Sequence, residues 1–508
     1  MQALLTPSSA AHWLHAKVSG TLCTDSRRLR AGDGFLAWAG ERFDARSQVQ
    51  QALAQGVSAC LVEQSGVDAF GLSDERVATY SGLKADSGQI ASAYFQEPSS
   101  RLAMLAVTGT NGKTSTAWWL AQALSSLPGD AALPCAVVGT LGLGMLPNLR
   151  GNGLTTPDPV DLQAALAEFV QQGVRACAIE ASSVGIEEHR LDGTRVHTAV
   201  FTNLTQDHLD YHGSMASYAR AKKKLFDWPG LRAAVINVDD AFGAELAKEL
   251  KQRDPVSLDL WTVSMRSSTA NQARLQAQHI TFTEQGLSFT VQEGLQQAAV
   301  STALIGQYNV ANLLGVIATL RSLGVSLSNA AAACHALSPV PGRMQCVRVA
   351  GKPLVAVDYA HTPDALAQAL EALRPMATQR GGQLWCVFGC GGDRDSAKRP
   401  IMGAVAVRHA DRVVLTSDNP RSESPEAIIS QILLGTSGAP GVVVQADRAL
   451  AIEQALGMAG AADVVLLAGK GHETYQDIGA RRIAFSDLAH VQLALGQPYS
   501  GHAGQAAL

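Results

Sequence analysis

The sequence has no apolar run long enough to cross a membrane. A membrane-spanning helix needs about 18 or more consecutive apolar residues, and no stretch of the 508 residues approaches that length. The first residues, MQALLTPSSAAHW, also lack the positively charged flank with which a signal peptide begins. We therefore expect a cytoplasmic protein that has no membrane as a partner.

Paired cysteines and an excess of positive charge are missing as well. The eight cysteines include no CxxC pair, which in a cytoplasmic protein predicts reduced, mostly buried thiols. The formal net charge is -4, whereas a protein that binds nucleic acid needs a basic surface. The composition therefore argues against nucleic acid as a partner. The sequence also shows no internal repeat.

The length and composition indicate a globular protein with several domains. Hydrophobic residues make up 47% and charged residues 17% of the chain, and the usual domain size predicts about three domains. Two proline-containing segments, FQEPSSR at 95–101 and LSPVPGR at 337–343, can continue neither a helix nor a central strand. They divide the chain into predicted domains at 1–97, 98–338 and 339–508.

The middle and last parts alternate apolar runs typical of strands with helical patterns. This alternation predicts the α/β class, with largely parallel sheets. One helix is defined by its ends, because Asp158 can cap it, Pro159 suits its first turn and Gly173 can end it. In residues 275–294, alternation with a period of two flanks a Glu-Gln-Gly turn, which predicts an antiparallel hairpin added to the middle domain.

The segment LAVTGTNGKTSTAWWLAQAL predicts a strand, a glycine-rich turn and a helix. Gly109 and Gly112 allow backbone N–H groups to face phosphate oxygens. Lys113 can reach the terminal phosphates of a nucleotide, and the hydroxyl of Thr114 can ligate Mg²⁺. Val107 stands where the common GxxxxGK[ST] motif has its first glycine, so a chance turn is the alternative. The position between a strand and a helix favours nucleotide binding.

A Mg²⁺ site needs further oxygen or nitrogen ligands, and two predicted strand ends offer them. One apolar run ends at Glu180, and another ends at Asp207 and His208. Each residue also has a purely structural interpretation, with Glu180 as a helix cap and His208 as a hydrogen-bonded loop histidine. The spacing of His208 and His212 would also suit zinc, but an acidic loop beside a phosphate site favours Mg²⁺.

Four apolar runs of the last part end in polar loops, namely LVAVDYAHTPD, LWCVFGCGGDRD, RVVLTSDNPR and DVVLLAGKGHE. If the four strands are parallel, the loops meet at one edge of the sheet, where open α/β sheets bind ligands. Arginine forks match carboxylates, and side-chain carboxylates accept from an ammonium group. The residues that would then form a zwitterion pocket are Arg394, Asp418, Asn419, Arg421, Gly469 and Glu473. A turn stiffened by Pro420, with a surface Arg–Asp pair, is the alternative.

Taken together, the motifs resemble those of the Mur ligase family, the ATP-dependent enzymes that add amino acids in peptidoglycan synthesis. The resemblance covers nearly the whole chain and rests on ordered motifs: DSR, GTNGKTS, TTPD, EASS, FTNLTQDHLDYHG, YARAKKKLF, GQYNVANLLGVIA, PGRM, DYAHTPDAL, FGCGGDRD, DNPR and GKGHETYQ. It implies a small α/β first domain, a central P-loop ATPase-like domain with a mostly parallel sheet, and a Rossmann-like last domain. We expect a monomer.

The resemblance also implies the residues that act on the nucleotide. Lys222 matches the carbamylated lysine of the family, and Lys223 and Lys224 beside it are expected to be solvated. A carbamate would give Mg²⁺ an anionic oxygen ligand where an ammonium would repel it. The implied metal ligands are Thr114, Glu180, His208 and carbamylated Lys222, and the implied catalytic residues are Lys113, Glu180, His208 and Lys222. The implied ATP contacts are Gly109, Thr110, Asn111, Gly112, Lys113, Thr114, Ser115, Asn309, Arg343, Asp358 and His361.

The implied partners are the small molecules ATP, the UDP-muramoyl dipeptide UDP-MurNAc-L-Ala-D-Glu and meso-diaminopimelate. Contacts to the UDP-muramoyl dipeptide are implied for Thr24, Ser26, Glu41, Arg42, Phe43, Thr155, Thr156, Ser182, Glu188 and Arg190. The sequence departs from the family pattern near these contacts, at Leu154, Val184 and Glu188. The DNPR motif marks members that add meso-diaminopimelate, which is implied to contact Arg394, Asp418, Asn419, Pro420, Arg421, Gly469 and Glu473.

Three other functions stay open at this point. A lysine-adding ligase is the nearest, although lysine lacks the second carboxylate that Arg421 would meet. A folylpolyglutamate synthase shares the phosphate loop and the lysine, but the first domain and the DNPR motif do not fit it. A P-loop binding protein without ligase chemistry is the third alternative, and the carbamate lysine and the zwitterion pocket argue against it.

Overall fold

A computed structural model of the protein describes residues 1–40, 43–151, 153–253, 258–266, 273–283 and 286–497. Glu41 and Arg42, which are predicted to contact the UDP-muramoyl dipeptide, lie outside the described residues, as do Glu284 and Gln285 of the predicted hairpin turn. Within these ranges, no helix is both long enough and apolar enough to span a bilayer. The eight cysteines all lie in the described ranges as free thiols, and each is buried except Cys346, which is half-buried.

The first part of the chain folds around a short parallel sheet. Its elements are β1 (Gln2–Leu4), α1 (Pro7–His15), β2 (Leu22–Cys23), β3 (Gly34–Ala37), α2 (Val49–Ala54), β4 (Ala59–Glu63), β5 (Val77–Tyr80) and α3 (Leu83–Tyr94). The strand order is β1-β5-β4-β3-β2. Successive strand residues such as Phe35 and Leu36 enter separate apolar clusters on the two faces, which is why the strands are continuous apolar runs.

The central part is built on a larger mixed sheet. Its elements are β6 (Ala103–Thr108), α4 (Lys113–Ser125), β7 (Cys135–Gly139), β8 (Gly142–Met145), β9 (Asn148–Arg150), α5 (Pro159–Gln171), β10 (Ala176–Glu180), α6 (Ser183–Glu187), β11 (Thr198–Phe201), α7 (Leu209–His212), α8 (Met215–Lys223), β12 (Ala233–Asn237), α9 (Ala241–Lys251), β13 (Asp259–Ser264), β14 (Leu275–Thr283), β15 (Gly286–Glu293), β16 (Gln296–Thr302), α10 (Tyr308–Ser322) and α11 (Leu327–Ala333).

The order of the central strands determines which loops meet. The order is β16-β15-β14-β13-β12-β11-β6-β10-β7-β8-β9, with parallel pairing from β14 to β7 and antiparallel pairing at both ends. Strand β6 therefore lies between β10 and β11, and the loops that follow these three strands share one edge of the sheet. This edge carries the predicted phosphate loop.

The helix and the hairpin predicted in the central part are both confirmed. Asp158 caps α5 by accepting from the backbone N–H of Val160 at 2.9 Å, and Gly173 follows the helix with φ 79°. Strands β14 and β15 form the hairpin. The sequence pattern missed β16, which pairs with β15, because exposed polar residues fill much of this edge strand and weaken its apolar alternation.

The last part contains the predicted Rossmann-like sheet. Its elements are β17 (Gln345–Val347), β18 (Leu354–Asp358), α12 (Pro363–Arg380), β19 (Leu384–Phe388), α13 (Lys398–His409), β20 (Arg412–Leu415), α14 (Pro425–Leu433), β21 (Val442–Val444), α15 (Arg448–Met458), β22 (Val464–Ala468), β23 (Tyr475–Ile478), β24 (Arg481–Ala484) and α16 (Asp487–Ala494). The order β17-β18-β22-β19-β20-β21 is parallel except at β17. The four predicted strands are thus parallel, and their polar loops lie on one edge.

The two proline-containing segments lie between the sheets. In the first, Gln96 and Glu97 have positive φ values of 62° and 50°, conformations that interrupt regular structure. In the second, the chain runs without helix or strand from Leu337 to the start of β17. We propose domain boundaries in these segments, after residues 97 and 338.

A fully buried ion pair holds the last domain together behind its loops. The Nε and Nη2 atoms of Arg448 each donate to the carboxylate of Asp487 at 2.7 Å, and both side chains are inaccessible to solvent. Arg448 also donates to the carbonyl oxygens of Ser417 at 3.2 Å and Ala468 at 3.0 Å. Ser417 lies in the loop after β20 and Ala468 is the last residue of β22, so the pair fixes the base of the predicted pocket.

The buried pair gives a stability prediction. Asp487→Ala leaves the Arg448 guanidinium buried without a counter-charge, which costs about 3–5 kcal/mol. We expect the urea midpoint for loss of hydrogen-exchange protection in β20 and β22 to fall accordingly. The control is Arg195→Ala, which breaks the exposed pair with Glu97 and costs at most about 1 kcal/mol. Equal midpoints for the two variants would contradict the role of Asp487.

Candidate active site

The loop between β6 and α4 requires glycine at two positions. Gly109 has φ 149° and Gly112 has φ 85°. A Cβ atom would lie 1.9 Å from the hydroxyl oxygen of Thr202 at Gly109, and 2.5 Å from the side-chain oxygen of Asn312 at Gly112. Only glycine fits both the backbone conformation and the close approach. The loop leads into the N-terminus of α4, whose free N–H groups and positive dipole end favour an anion.

Lys113 is folded back onto this loop. Its Nζ atom donates to the carbonyl oxygens of Gly109 at 2.9 Å and Thr110 at 2.7 Å. Burial lowers the pKa of Lys113, against the attraction of Glu180 and Asp207. An incoming phosphate would compete with the two carbonyls for this ammonium group.

Glu180, the last residue of β10, is 1% exposed and lies directly beside α4. Its carboxylate accepts from the Thr114 hydroxyl at 2.9 Å and from the backbone N–H of Thr140 at 2.8 Å. The Thr114 hydroxyl in turn accepts from the guanidinium of Arg343 at 3.2 Å. The carboxylate, the hydroxyl and an arginine of the last domain therefore meet beside the phosphate loop.

Lys222, on α8, is 1% exposed and points at the same loop. Its Nζ atom donates to the Gly109 carbonyl at 2.7 Å and lies 4.2 Å from the centre of the Tyr218 ring. Burial, reinforced by the nearby Lys113, holds the pKa of Lys222 well below its usual range. The neutral amine that this favours is the form that can react with CO₂ to give a carbamate.

The four predicted metal ligands, Thr114, Glu180, His208 and Lys222, line the same cavity. In the described residues, no group of three or more His, Cys, Asp or Glu side chains is arranged to hold a metal ion. His208 faces Asp207, with 3.5 Å between Nε2 and Oδ2, whereas His212 contacts the Ser183 hydroxyl at 2.9 Å. A free Lys222 ammonium would repel a cation, so this donor set fits Mg²⁺ when Lys222 is a carbamate.

A cavity of about 490 Å³ lies between the phosphate loop and the last domain. The predicted site residues that line it are Thr110, Asn111, Gly112, Lys113, Thr114, Ser115, Thr155, Glu180, Ser182, His208, Lys222, Asn309, Arg343, Asp358 and His361. Gly109 is not part of the lining, but its carbonyl accepts from both lysines. The predicted nucleotide and metal residues are therefore brought together in one cavity.

The sequence reasoning missed Tyr359, which lines the same cavity. The centre of its ring lies 4.3 Å from the guanidinium carbon of Arg343. Tyr359 directly follows Asp358, and burial raises the pKa of the Asp358 carboxyl. The ring is half-buried, and an aromatic ring that lines a cavity next to a phosphate loop can stack on a nucleotide base. The sequence signal that could have identified Tyr359 is an aromatic residue directly after an apolar strand, within the DYAHTPDAL motif.

The TTPD segment is fastened to the end of β10. The Thr156 hydroxyl donates to the carbonyl of Glu180 at 2.7 Å and accepts from the backbone N–H of Ser182 at 3.1 Å. Arg190 donates to the Thr156 carbonyl at 3.2 Å. Thr155 reaches the Thr140 hydroxyl at 3.1 Å, beside Glu180. This segment thus extends the cavity wall towards the first domain.

The other predicted UDP-muramoyl contacts lie away from the cavity. Thr24 is hydrogen-bonded to Asp158, whose pKa burial raises to about 6. The cavity lining includes neither Ser26 nor Phe43, and Phe43 is 56% exposed. Glu188 accepts from Lys84 and Tyr211, each at 2.6 Å. The side chain of Glu188 therefore already has partners on the first domain and on α7.

The four loops of the last domain form the second part of the site. The amide of Asn419 donates to the Glu473 carboxylate at 2.8 Å. Lys470, which the sequence reasoning missed, is fully buried and donates to Asn419 at 3.0 Å and to Glu473 at 2.8 Å. A Cβ atom at Gly469 would lie 2.4 Å from Asp418. The loops after β20 and β22 are thus in direct contact.

Two arginines flank the neighbouring loop after β19. A Cβ atom placed on Gly391 would lie 3.0 Å from Nη1 of Arg421 and 3.8 Å from Cγ of Arg394. Arg421 also donates to the carbonyl of Gly392 at 2.6 Å, while Pro420 is buried behind it. Two arginine side chains on neighbouring loops, in a domain edge that also carries the Glu473 carboxylate, suit a ligand that has both carboxylates and an ammonium group.

The fold and the site define an α/β nucleotide-binding protein whose phosphate loop faces a second parallel sheet. Two family models match, the Mur ligase middle domain over residues 107–320 and the Mur ligase glutamate ligase domain over residues 342–471. The UDP-N-acetylmuramoyl-L-alanyl-D-glutamate–2,6-diaminopimelate ligase of Acidovorax sp. (strain JS42) is 59% identical and covers 98% of each chain. The chain belongs to the Mur ligase family.

Further relatives carry the same name. The ligase of Janthinobacterium sp. (strain Marseille) is 45% identical and covers 96% of each chain. A solved structure of a UDP-N-acetylmuramoyl-L-alanyl-D-glutamate–2,6-diaminopimelate ligase is 37% identical and covers 94% of each chain, with a TM-score of 0.65. The likeness thus extends through all three parts of the chain.

The close packing of the phosphate loop leads to a binding prediction. Gly109→Ala would place a Cβ atom against Thr202 and open the loop, so we expect nucleotide affinity to fall at least tenfold, or about 1.4 kcal/mol. Titration with a non-hydrolysable ATP analogue measures this change. The control is Gly457→Ala on α15, where a Cβ atom meets no heavy atom within 4 Å. Unchanged affinity in Gly109→Ala would show that the loop does not hold the nucleotide.

Proposed function

We propose that the protein joins meso-2,6-diaminopimelate to UDP-N-acetylmuramoyl-L-alanyl-D-glutamate in an ATP-dependent reaction of peptidoglycan synthesis. The chain is a ligase of the Mur family, and its relatives at 59% and 45% identity are named for this reaction. The observation that carries the choice of amino acid is the approach of two arginine side chains to Gly391, Arg421 through its guanidinium and Arg394 through its Cγ. A substrate with two carboxylates and an ammonium group matches this pocket.

The first step activates a carboxylate. The γ-carboxylate of the D-glutamyl residue attacks the γ-phosphorus of ATP, and the bond to ADP breaks to leave an acyl phosphate. Negative charge spreads over the phosphoryl oxygens in the transition state. Lys113 and the N-terminus of α4 are placed to stabilise it, because both already face the cavity beside the phosphate loop.

Thr114, Glu180, His208 and carbamylated Lys222 are the residues that would hold Mg²⁺. When bound, Mg²⁺ would neutralise charge on the phosphate oxygens. The support for the carbamate is the burial of Lys222, its lowered pKa and its neighbour Lys113. Carbamylation turns the Lys222 cation into an anion and so removes its electrostatic repulsion of Lys113.

The second step forms the amide. The free amino group of diaminopimelate attacks the acyl carbon, loses its proton, and expels phosphate as the amide bond forms. We propose that Arg394 and Arg421 hold the distal carboxylate and that Asp418 and Glu473 accept from the distal ammonium group. Hydrogen bonds from Asn419 and Lys470 would keep the Glu473 carboxylate oriented towards the substrate.

Water must be kept from the acyl phosphate, because it would hydrolyse. Arg343, Asp358 and His361 come from the last domain and yet line the nucleotide cavity, which supports closure of that domain over the bound substrates. We propose that the protein acts as a cytoplasmic monomer on these small molecules. Its buried free thiols suit a reducing compartment.

Steady-state assays with different amino acids test the proposal. We expect ADP and phosphate release only when the UDP-muramoyl dipeptide and meso-diaminopimelate are both present. With L-lysine, Arg421 would be left desolvated and unpaired, at a cost of about 2–5 kcal/mol, which lowers kcat/KM by about 30- to several-thousand-fold. Equal turnover with L-lysine would contradict the choice of substrate. Addition of glutamate to folate would favour the folylpolyglutamate synthase alternative.

The carbamate gives a separate prediction. Lys222→Ala removes a proposed metal ligand. Loss of a residue that only hydrogen-bonds a metal ligand lowers activity by about 10–100-fold, so we expect a larger loss for Lys222→Ala. Short-chain carboxylates such as formate should restore part of the activity. The control is Lys223→Ala, because Lys223 makes a surface ion pair with Glu249. Normal activity in Lys222→Ala would contradict the metal site.

A further inference from the structure

Side chains that the proposed reaction does not use cross-link the two arginine-bearing loops. Glu423, beyond the DNPR motif, accepts from the backbone N–H of Asp393 at 2.6 Å. The two oxygens of the Glu423 carboxylate also accept from the two Nη atoms of Arg399, each at 2.8 Å. The Ser422 hydroxyl donates to the Asp393 carboxylate at 2.5 Å. The loop after β19 is therefore fastened to the loop after β20.

Arg399 ties this link to the pocket. Its side chain is 1% exposed, and Nη2 donates to the carbonyl oxygen of Gly391 at 3.1 Å. Gly391 is the residue that Arg394 and Arg421 flank. One buried guanidinium thus contacts both Glu423, two residues after Arg421, and Gly391, three residues before Arg394.

The same two loops hold strained backbone. Asp393 has φ 53° and Arg421 has φ 50°, left-handed conformations that are unfavourable for residues other than glycine and persist only when surrounding contacts fix them. The Ser422 and Glu423 bonds fix Asp393. Arg421 is held in addition by backbone hydrogen bonds to Asp477 at 2.9 Å and Gly479 at 2.7 Å.

We propose that Arg399 and Glu423 are positioning residues that set the separation of Arg394 and Arg421, and thereby select an amino acid with a second carboxylate. This inference rests on the proposed function. The Arg399 guanidinium holds the pKa of Glu423 at about 2, so the link is ionised at any ordinary assay pH. The effect of the Arg399–Glu423 link on amino-acid selectivity should therefore be the same at every ordinary assay pH.

A specific signature follows from this role. Without the link the loops lose their mutual register, and a displacement near 1 Å can cost about 100-fold in rate. Diaminopimelate depends on the arginine pair, whereas L-lysine has no second carboxylate to place there. Loss of the link should therefore lower the kcat/KM for diaminopimelate selectively, leave that for L-lysine nearly unchanged, and leave the KM for ATP unchanged.

Glu423→Gln and Arg399→Lys test the proposal in the full-length enzyme. The first keeps the shape of the side chain without its charge, and the second keeps a buried charge without the two-pronged fork. We expect a 10- to 100-fold loss in kcat/KM for meso-diaminopimelate, carried mainly by KM. The ratio of its kcat/KM to that of L-lysine should fall by the same factor.

The matched control is Arg374→Ala. Arg374 also pairs with one carboxylate, Asp411, and one backbone carbonyl, that of His409, but these lie at the opposite end of β20. In Arg374→Ala, the ratio of kcat/KM for meso-diaminopimelate to kcat/KM for L-lysine should stay at the wild-type value. A proportional loss for both amino acids in Glu423→Gln and Arg399→Lys would show a merely structural role and overturn the proposal.

A milder variant and the wild type complete the design. If the two variants do not fold, Ser422→Ala removes only the exposed link to Asp393 and should still lower the ratio several-fold; an unchanged ratio would overturn the proposal. Failure of the proposed function would be visible in the wild type alone, as no preference for diaminopimelate. The two failures are therefore distinguishable.

Discussion

The carbonyl oxygen of Gly109 accepts hydrogen bonds from two lysines, the half-buried Lys113 and the buried Lys222. Two cations around one carbonyl repel each other, and burial lowers the pKa of each lysine. Anions relieve this constraint. A nucleotide phosphate would draw Lys113 into the cavity, and reaction with CO₂ would turn Lys222 into an anionic ligand. The ATP chemistry and the proposed metal site thus depend on the same arrangement.

Direct contacts join this loop to the last domain. Arg343 donates to Thr114, and the side chain of Asn111 donates to Asp364 at 3.1 Å. A ligand that rearranges the phosphate loop must therefore also act on Arg343, the last residue of the second proline-containing segment, and on Asp364 beyond it. This coupling gives a physical reason for building the cavity from two domains. The nucleotide loop of the central domain and the amino-acid loops of the last domain come together only when the two domains are in contact.

The parts of the fold that the sequence predicted are those governed by local chemistry. Asp158 and Pro159 define the start of α5 by capping, and the parallel order of β18, β19, β20 and β22 follows from alternating strands and helices. The glycines of the phosphate loop were found because Gly109 and Gly112 are required by backbone geometry. In each case, neighbours along the chain carry the signal.

The residues that were missed depend on contacts between distant segments. Lys470 was overlooked because a lysine is normally solvated, and only the packing of two loops shows it buried between Asn419 and Glu473. Arg399 and Glu423 come from separate helix–strand units, so no spacing rule pairs them. The residues predicted to contact the nucleotide or the metal line one cavity, except Gly109, while the contacts of Thr24, Ser26 and Phe43 to the UDP-muramoyl dipeptide stay predictions.

The central claim is that the phosphate loop activates a carboxylate of one substrate before the amino acid attacks. Isotope transfer tests it most directly. With ¹⁸O in both oxygens of the D-glutamyl γ-carboxylate, the acyl phosphate keeps one labelled oxygen on phosphorus when the amine attacks the acyl carbon. The account predicts that each released phosphate carries one ¹⁸O atom, as measured by mass spectrometry. Released phosphate without label would contradict it.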